Sequence, residues 1–158
     1  ANRCDDLDPS VAYVLGLLHD IGRRAGKSDM RHILDGYQFM MDQGYEDCAR
    51  ICLTHSFPNQ IVEAYSGEND CTEEENRFIK EFLKKAVYDD YDKLIQLCDA
   101  LAFPEGPTFI EKRLIDVAMR RGFNDFTLDK WKAFFKLKSY FDNKTDSDIY
   151  TLINIELR

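Results

Sequence analysis

The sequence predicts an all-α protein, a single helical bundle that continues into additional helices towards the C-terminus. Apolar residues recur at helical spacing in nearly every segment, and helix start and stop signals punctuate the chain at helix-length intervals. No run alternates apolar and polar residues in the manner of a half-buried strand. With 158 residues, 44% hydrophobic and 13% aromatic, the chain has the material for a buried core, and one domain over 1–158 is expected.

Asp8 and Pro9 open the first helix as N-cap and first helical residue. Residues 11–21 are apolar almost all round, which predicts a central, buried helix. Gly22 ends it, and Gly26 holds the next residues in a loop. Asp29 opens a second helix in which Met30, Ile33, Leu34, Tyr37 and Met41 repeat at helical spacing, stopping near Gly44. A shorter helix over 46–55 follows, and Pro58 begins another. The polar run 66–70 is a loop, and Thr72 with Glu75 forms a capping box for a helix to about residue 86. The segment 90–103 carries the stripe Tyr91, Leu94, Ile95, Cys98, Leu101 and Ala102. Pro104-Glu105-Gly106-Pro107 is a sharp break, and Pro107 starts a helix that Gly122 ends. Helices over 127–141 and 147–157 complete the set, with no repeat and no low-complexity tract.

The formal net charge of −8 argues against a general binder of phosphate backbones, so a nucleic-acid polymer is not an expected partner. Any anion handled here should meet a local basic patch or a metal instead. No apolar run is long enough to span a membrane and no signal-peptide pattern opens the chain, so a membrane is not an expected partner either. The five cysteines, Cys4, Cys48, Cys52, Cys71 and Cys98, are odd in number and irregularly spaced. They predict a reduced, cytoplasmic protein rather than a disulfide framework. Cys48 and Cys52 share a helical face, but no second pair of thiols or histidines completes a zinc site, and both read as small buried hydrophobes. The sequence is compatible with an oligomer.

Metal-binding chemistry concentrates in the three histidines, His19, His32 and His55. The first lies in Leu17-Leu18-His19-Asp20-Ile21-Gly22, a His-Asp pair closing an apolar helix. His55 continues the face of Cys48, Ile51 and Cys52 and should point inward, while Gly36, one turn beyond His32, should leave space beside that imidazole. Asp99 lies on a leucine-rich helix, where an unpaired carboxylate would be costly to bury. Glu73, Glu74, Glu75, Asp89 and Asp92 cluster with polar residues and read as solvated. Side chains of adjacent residues such as His19 and Asp20 diverge by about 100°, yet at a helix end both can reach one ion. Neutral imidazoles with hard carboxylates suit one or two divalent transition metals with positions left open for water. Iron, manganese, cobalt, nickel and zinc are all compatible. A single histidine is more often a satisfied core residue; it is the joint pattern that points to a metal.

This order of residues resembles the HD-domain superfamily of metal-dependent phosphohydrolases, with the motif carried by about residues 1–105 and 107–158 as a helical extension packing on it. The resemblance implies an all-α HD-domain bundle with His19, Asp20, His32, His55 and Asp99 as ligands. It further implies that His19, Asp20 and Asp99 hold one metal and His32 and His55 a second, with Asp20 bridging and catalytic. HD proteins with the two extra histidines include bacterial diadenosine tetraphosphate hydrolases and cyclic dinucleotide phosphodiesterases. The family also uses an earlier histidine on the preceding helix, for which this chain has no counterpart before His19; the expectation is that it lies upstream of Ala1. The implied activity is hydrolysis of a small phosphorylated substrate, a nucleotide or dinucleotide. A di-iron oxygenase and a degenerate module that binds a nucleotide without turnover are the alternatives.

Arg23, Lys27 and Arg31 follow the His-Asp pair at intervals of four, with Arg24 alongside, and form a local positive cluster in an acidic chain. Arg23, Arg24 and Lys27 are the candidates for binding substrate phosphate. Arg23 stands where HD proteins often carry a phosphate-contacting lysine. The competing reading is a solvated loop paired with Asp29 and Asp35. The loop 103–107 is a candidate pocket rim. Leu128, Trp131, Phe134, Phe135 and Leu137 read as a buried stripe, with Lys130, Lys132, Lys136 and Lys138 snorkelling at its edges. Arg120 and Arg121 fit a helix C-terminus and need no ligand.

Overall fold

A computed structural model describes residues 1–155. It contains eight α-helices, α1 Pro9–Leu18, α2 Arg31–Asp42, α3 Glu46–Thr54, α4 Glu73–Lys85, α5 Asp90–Ala100, α6 Ile110–Arg121, α7 Thr127–Thr145 and α8 Ile149–Leu152. Two 3₁₀ turns, Ile21–Ala25 and Val62–Ala64, link them. The strands are β1 Ala102–Phe103 and β2 Gly106–Pro107, an antiparallel pair two residues long across the Pro-Gly-Pro break. The break therefore forms a small hairpin, and α6 begins at Ile110 rather than at Pro107. No helix begins at Pro58, where the chain forms turns as far as Val62–Ala64. No helix among the described residues is long and apolar enough to cross a membrane.

Local signals account for most helix starts. Asp8 accepts backbone N–H bonds from Ser10 at 2.7 Å and Val11 at 3.3 Å ahead of Pro9. Thr72 and Glu75 form the expected reciprocal cap of α4, and Asp89 and Asp92 form a second at α5. Asp92 is not solvated, as its polar neighbours suggested. It is fully buried, accepts from Thr54 Oγ1 at 2.7 Å, and pairs with Arg50 at 2.8 Å. Gln96 donates to the Thr54 carbonyl at 3.0 Å. These polar bonds lock α5 to the C-terminal end of α3, directly before His55.

Three apolar clusters fill the bundle. Leu15, Met40, Ile51, Cys52 and Ile95 join α1, α2, α3 and α5. Met30, Ile33, Leu53, Phe57, Ile79 and Leu83 fill the space between α2, α3 and α4. Leu97, Leu101, Ile110, Leu114, Phe134 and Phe141 seat α6 and α7 on α5. Cys48 and Cys52 are buried free thiols, and burial pushes Cys52 up to about 12.

The first helix is not buried all round: Ala12 and Leu15 face the core, while Val11, Tyr13, Val14 and Leu17 are exposed. An apolar sequence without amphipathic contrast does not specify which face packs. On α5 the buried face is Asp92, Ile95, Gln96, Leu97 and Ala100, whereas Cys98 is exposed. On α7, Leu128 is likewise exposed.

Glycine decides the closest contact in the bundle. A Cβ at Gly22 would fall 1.9 Å from the His32 carbonyl oxygen and 2.5 Å from the Gly36 nitrogen. A Cβ at Gly36 would meet Cys52 at 3.1–3.2 Å. Gly36 therefore serves helix contact with Cys52 and the Gly22 turn, and does not open room beside His32. Gly22→Ala is expected to cost about 3 kcal/mol or more, because the obstacle is backbone that cannot swing aside; urea unfolding of the metal-free protein measures it.

Asp90 joins the start of α5 to α7, accepting from Tyr140 Oη at 2.7 Å and pairing with Lys93 at 2.7 Å and Lys144 at 2.5 Å. Partial burial pushes its carboxyl up, but these donors outweigh that and hold it well below the ordinary carboxylate range. A depressed folded-state pKa contributes stability that is complete above the unfolded value and is lost as pH falls. Asp90→Asn should destabilise by about 1–2 kcal/mol at neutral pH. The gap from the unmodified protein should narrow below about pH 4 in paired urea titrations.

Candidate metal centre and substrate pocket

The three histidines occupy helix ends that the bundle brings together. His19 is the C-cap of α1, His32 lies in the first turn of α2, and His55 is the C-cap of α3. Each uses Nδ1 in the same way, on the carbonyl three residues earlier. His19 Nδ1 lies 2.7 Å from Gly16 O, His55 Nδ1 lies 2.9 Å from Cys52 O, and His32 Nδ1 bonds the Asp29 carbonyl. A carbonyl can only accept, so Nδ1 carries a proton and Nε2 is the atom that each ring can offer to a ligand, although at His32 it also lies 3.4 Å from Arg23 Nη2.

Two of those Nε2 atoms converge on Asp20. Its Oδ1 lies 3.0 Å from His32 Nε2 and 3.5 Å from His55 Nε2. The oxygen is buried and makes no well-formed hydrogen bond. Acceptor facing acceptor at this distance is satisfied by a proton or by a cation between them, and a cation answers both imidazoles at once. His19, Asp20 and His55 each place a ligand atom within 4.8 Å of the others. The rings of His19 and His55 stand 5.0 Å apart and those of His32 and His55 5.7 Å apart. With His32 and His55 only 1% and 3% exposed, the donor set of neutral imidazoles and one carboxylate fits a divalent transition metal.

Asp20 is an anion throughout the working pH range. Burial pushes its carboxyl up, but a proton on the His32 or His55 nitrogen that faces it, or a cation in that proton's place, together with the guanidinium of Arg23, outweighs this and holds it well below the ordinary carboxylate range. Arg23 Nε donates to Asp20 Oδ2 at 2.7 Å, so one oxygen is committed to arginine and the other faces the histidines.

The centre opens into a cavity of about 720 Å³, whose wall includes Asp20, His32 and His55. Of the cations proposed to meet phosphate, Arg23 and Lys27 line it. Arg24 does not; its guanidinium stacks over the Phe39 ring at 4.2 Å. Arg31 turns away to Glu75 at 3.0 Å and Asp35 at 3.4 Å. Asp99 stands half-buried in the cavity wall, outside the close group of His19, Asp20 and His55. Residues 103–107 do not line the cavity, since their hairpin folds away from it.

The wall facing the centre comes from α6 and α7, which the sequence alone did not connect to a site. Lys130 is not a snorkelling edge residue but is buried and lines the cavity. Arg113, Arg120 and Arg121 line it too. Arg121 pairs with Asp29 at 2.7 Å, and Arg120 pairs with Asp116 at 2.8 Å, so both have partners beyond the helix dipole. Tyr65 also lines the cavity, and burial pushes its phenol far up. The one signal in the sequence for Lys130 was its place on the same helix as Trp131 and Phe134, a pattern that an ordinary core explains equally well.

The family model of the HD domain matches residues 1–103, which covers α1 through β1 and every histidine and aspartate of the proposed ligand set. No curated protein and no solved structure matches the chain significantly. The match ends before α6 and α7, so the second wall of the cavity lies outside the part shared with the family. HD domains in general are metal-dependent phosphohydrolases that hold divalent metals through a His-Asp pair and further histidines, and the converging helix ends found here fit that pattern. The chain belongs to the HD-domain family.

Proposed function

We propose that this protein is a metal-dependent phosphohydrolase acting on a small phosphorylated substrate, specifically a nucleotide or dinucleotide. The observation that carries the reading is the buried Asp20 oxygen facing two imidazoles at the floor of a cavity that Arg23 and Lys27 line. His19, Asp20 and His55 would hold the metal, with His32 on the other side of Asp20 and Asp99 approaching from the cavity wall. A divalent metal in that place supplies Lewis acidity towards a phosphoryl oxygen and lowers the pKa of water.

The chain's own residues do the rest. Asp20 stays ionised and fixes the position of its neighbours, while the Nδ1–H bonds to backbone hold each ring in one tautomer and one orientation. Arg23 spends its Nε on Asp20 and keeps guanidinium N–H groups at the wall for the non-bridging oxygens of phosphate.

Two measurements test this. Asp20→Asn should retain less than about one tenth of the metal bound by the unmodified protein, by elemental analysis after incubation with iron, manganese, cobalt, nickel or zinc in turn. Its metal-free form should still melt cooperatively, at a melting temperature no higher than that of the unmodified protein, because the pair with Arg23 is lost. A variant that keeps its metal overturns the ligand assignment.

The second is a panel of nucleoside mono-, di- and polyphosphates, cyclic nucleotides and dinucleotides, assayed for phosphate or nucleotide release with each metal. At least one member should be hydrolysed, with the activity abolished by chelator and restored by metal. Asp99→Ala should lose that activity while the metal-free fold keeps its melting temperature. No turnover with any metal overturns the phosphohydrolase reading.

A further inference from the structure

Lys130 lies in the first turn of α7, 8% exposed, with its ammonium on the cavity wall. Its one hydrogen-bond partner is Ser66 Oγ at 3.5 Å, and its nearest aromatic face is Tyr65, 5.8 Å from the ring centre. Among the described residues no carboxylate pairs with it. Burial pushes the ammonium down to about 8, with Asp99 across the cavity acting in the opposite sense. Such a cation is costly to bury on one long hydrogen bond, and apolar residues could fill the same place at no such cost. Its neighbours on this wall differ: Arg121 is paired with Asp29, and Arg120 with Asp116. Arg113 reaches Asp116 only at 3.7 Å and, like Lys130, retains capacity for another anion.

The cavity is thus anion-seeking at two places that different parts of the chain build. Arg23 and Lys27 flank Asp20 within the family match, whereas Lys130 and Arg113 belong to helices beyond it. At about 720 Å³ the space far exceeds what a single phosphate fills and is of the size that holds a whole small molecule. We propose that Lys130 is a specificity residue that holds a second phosphate of the substrate, away from the phosphoryl group at Asp20, so that the pocket selects diphosphates and longer phosphate chains over monophosphates. This rests on the phosphohydrolase reading for the role of the first site. The anion site at Lys130 can be tested without it.

The experiment titrates pyrophosphate and orthophosphate calorimetrically into the full chain, freed of metal by chelator so that the anions do not compete for the ion. Lys130→Met should weaken pyrophosphate binding by about tenfold or more, the worth of one charge-assisted hydrogen bond. Orthophosphate, which Arg23 and Lys27 can hold, should change by less than about threefold, and Lys130→Arg should preserve most of the pyrophosphate affinity. The ligand-free melting temperature of Lys130→Met should hold or rise, as expected for removing a buried cation with a functional role. Failure of the unmodified protein to bind pyrophosphate, equal loss of both anions, or a fall in melting temperature that accompanies the loss of binding overturns the proposal. If the panel shows hydrolysis but Lys130→Met keeps the same ratio of diphosphate to monophosphate kcat/KM, the subsite falls while the phosphohydrolase reading stands. Lys130-dependent pyrophosphate binding in a protein that hydrolyses nothing upholds the subsite and removes the enzyme.

Discussion

A carboxylate oxygen buried against two imidazoles is the constraint around which the bundle is arranged. Asp20 is ionised, one of its oxygens is given to Arg23, and the other meets His32 and His55 across distances too short for neutral acceptors to share comfortably. Each ring is oriented by a bond from Nδ1 to a carbonyl of its own local backbone. The Nε2 positions are therefore set by where three helices begin and end, and not by the freedom of loop side chains. Preorganisation of this kind removes the cost of gathering ligands when an ion arrives.

Holding three helix ends together makes demands elsewhere in the fold. The turn after Asp20 must pass so close to α2 that only glycine fits at Gly22, and α2 must meet α3 so closely that Gly36 faces Cys52. The end of α3 is fastened from below by Asp92, Arg50, Thr54 and Gln96, a buried polar set that places His55. A buried carboxylate of this kind is favourable only when fully partnered, and here Thr54, Arg50 and the backbone N–H of Asp89 supply the partners.

The net charge of −8 is not carried evenly into the cavity, where Asp20, Asp29, Glu68, Asp70 and Asp99 are matched by lysines and arginines. Cations from the turn after Asp20 and from α6 and α7 line the pocket, and several are neutralised by acids at its margin, as Arg121 is by Asp29. Any attraction that these cations exert on an anion is thus local and short-ranged. The C-terminal helices do more than cover a core: α7 packs Phe134 and Phe141 against α5 with one part of its surface and turns Lys130 into the cavity with another.

The helical class, the caps at Asp8 and Thr72, and the set of His19, Asp20, His32 and His55 were legible in the sequence because they depend on local spacing and residue chemistry. The inward direction of His55 followed from helical periodicity, since it continues a face made by Cys48, Ile51 and Cys52. Properties that depend on distant neighbours were not legible. Asp92 looks solvated beside Asp89 and Asp90, yet Thr54 and Arg50 bury and satisfy it from 38 and 42 residues away. Arg24 stands closer to the His-Asp pair in sequence than Lys27 does, yet the path of the chain through the 3₁₀ turn sends Arg24 to Phe39 and leaves Lys27 at the cavity. Lys130 interleaves with the aromatic residues of α7 as Lys132 and Lys138 do, but of these three only Lys130 is turned towards Ser66 and the cavity. The sequence by itself determined the helices and the donor chemistry of the candidate ligand set, because periodicity and donor type are local properties. Tertiary structure decided which charges are buried, paired or turned to the pocket, because those depend on which helix ends the core packs together.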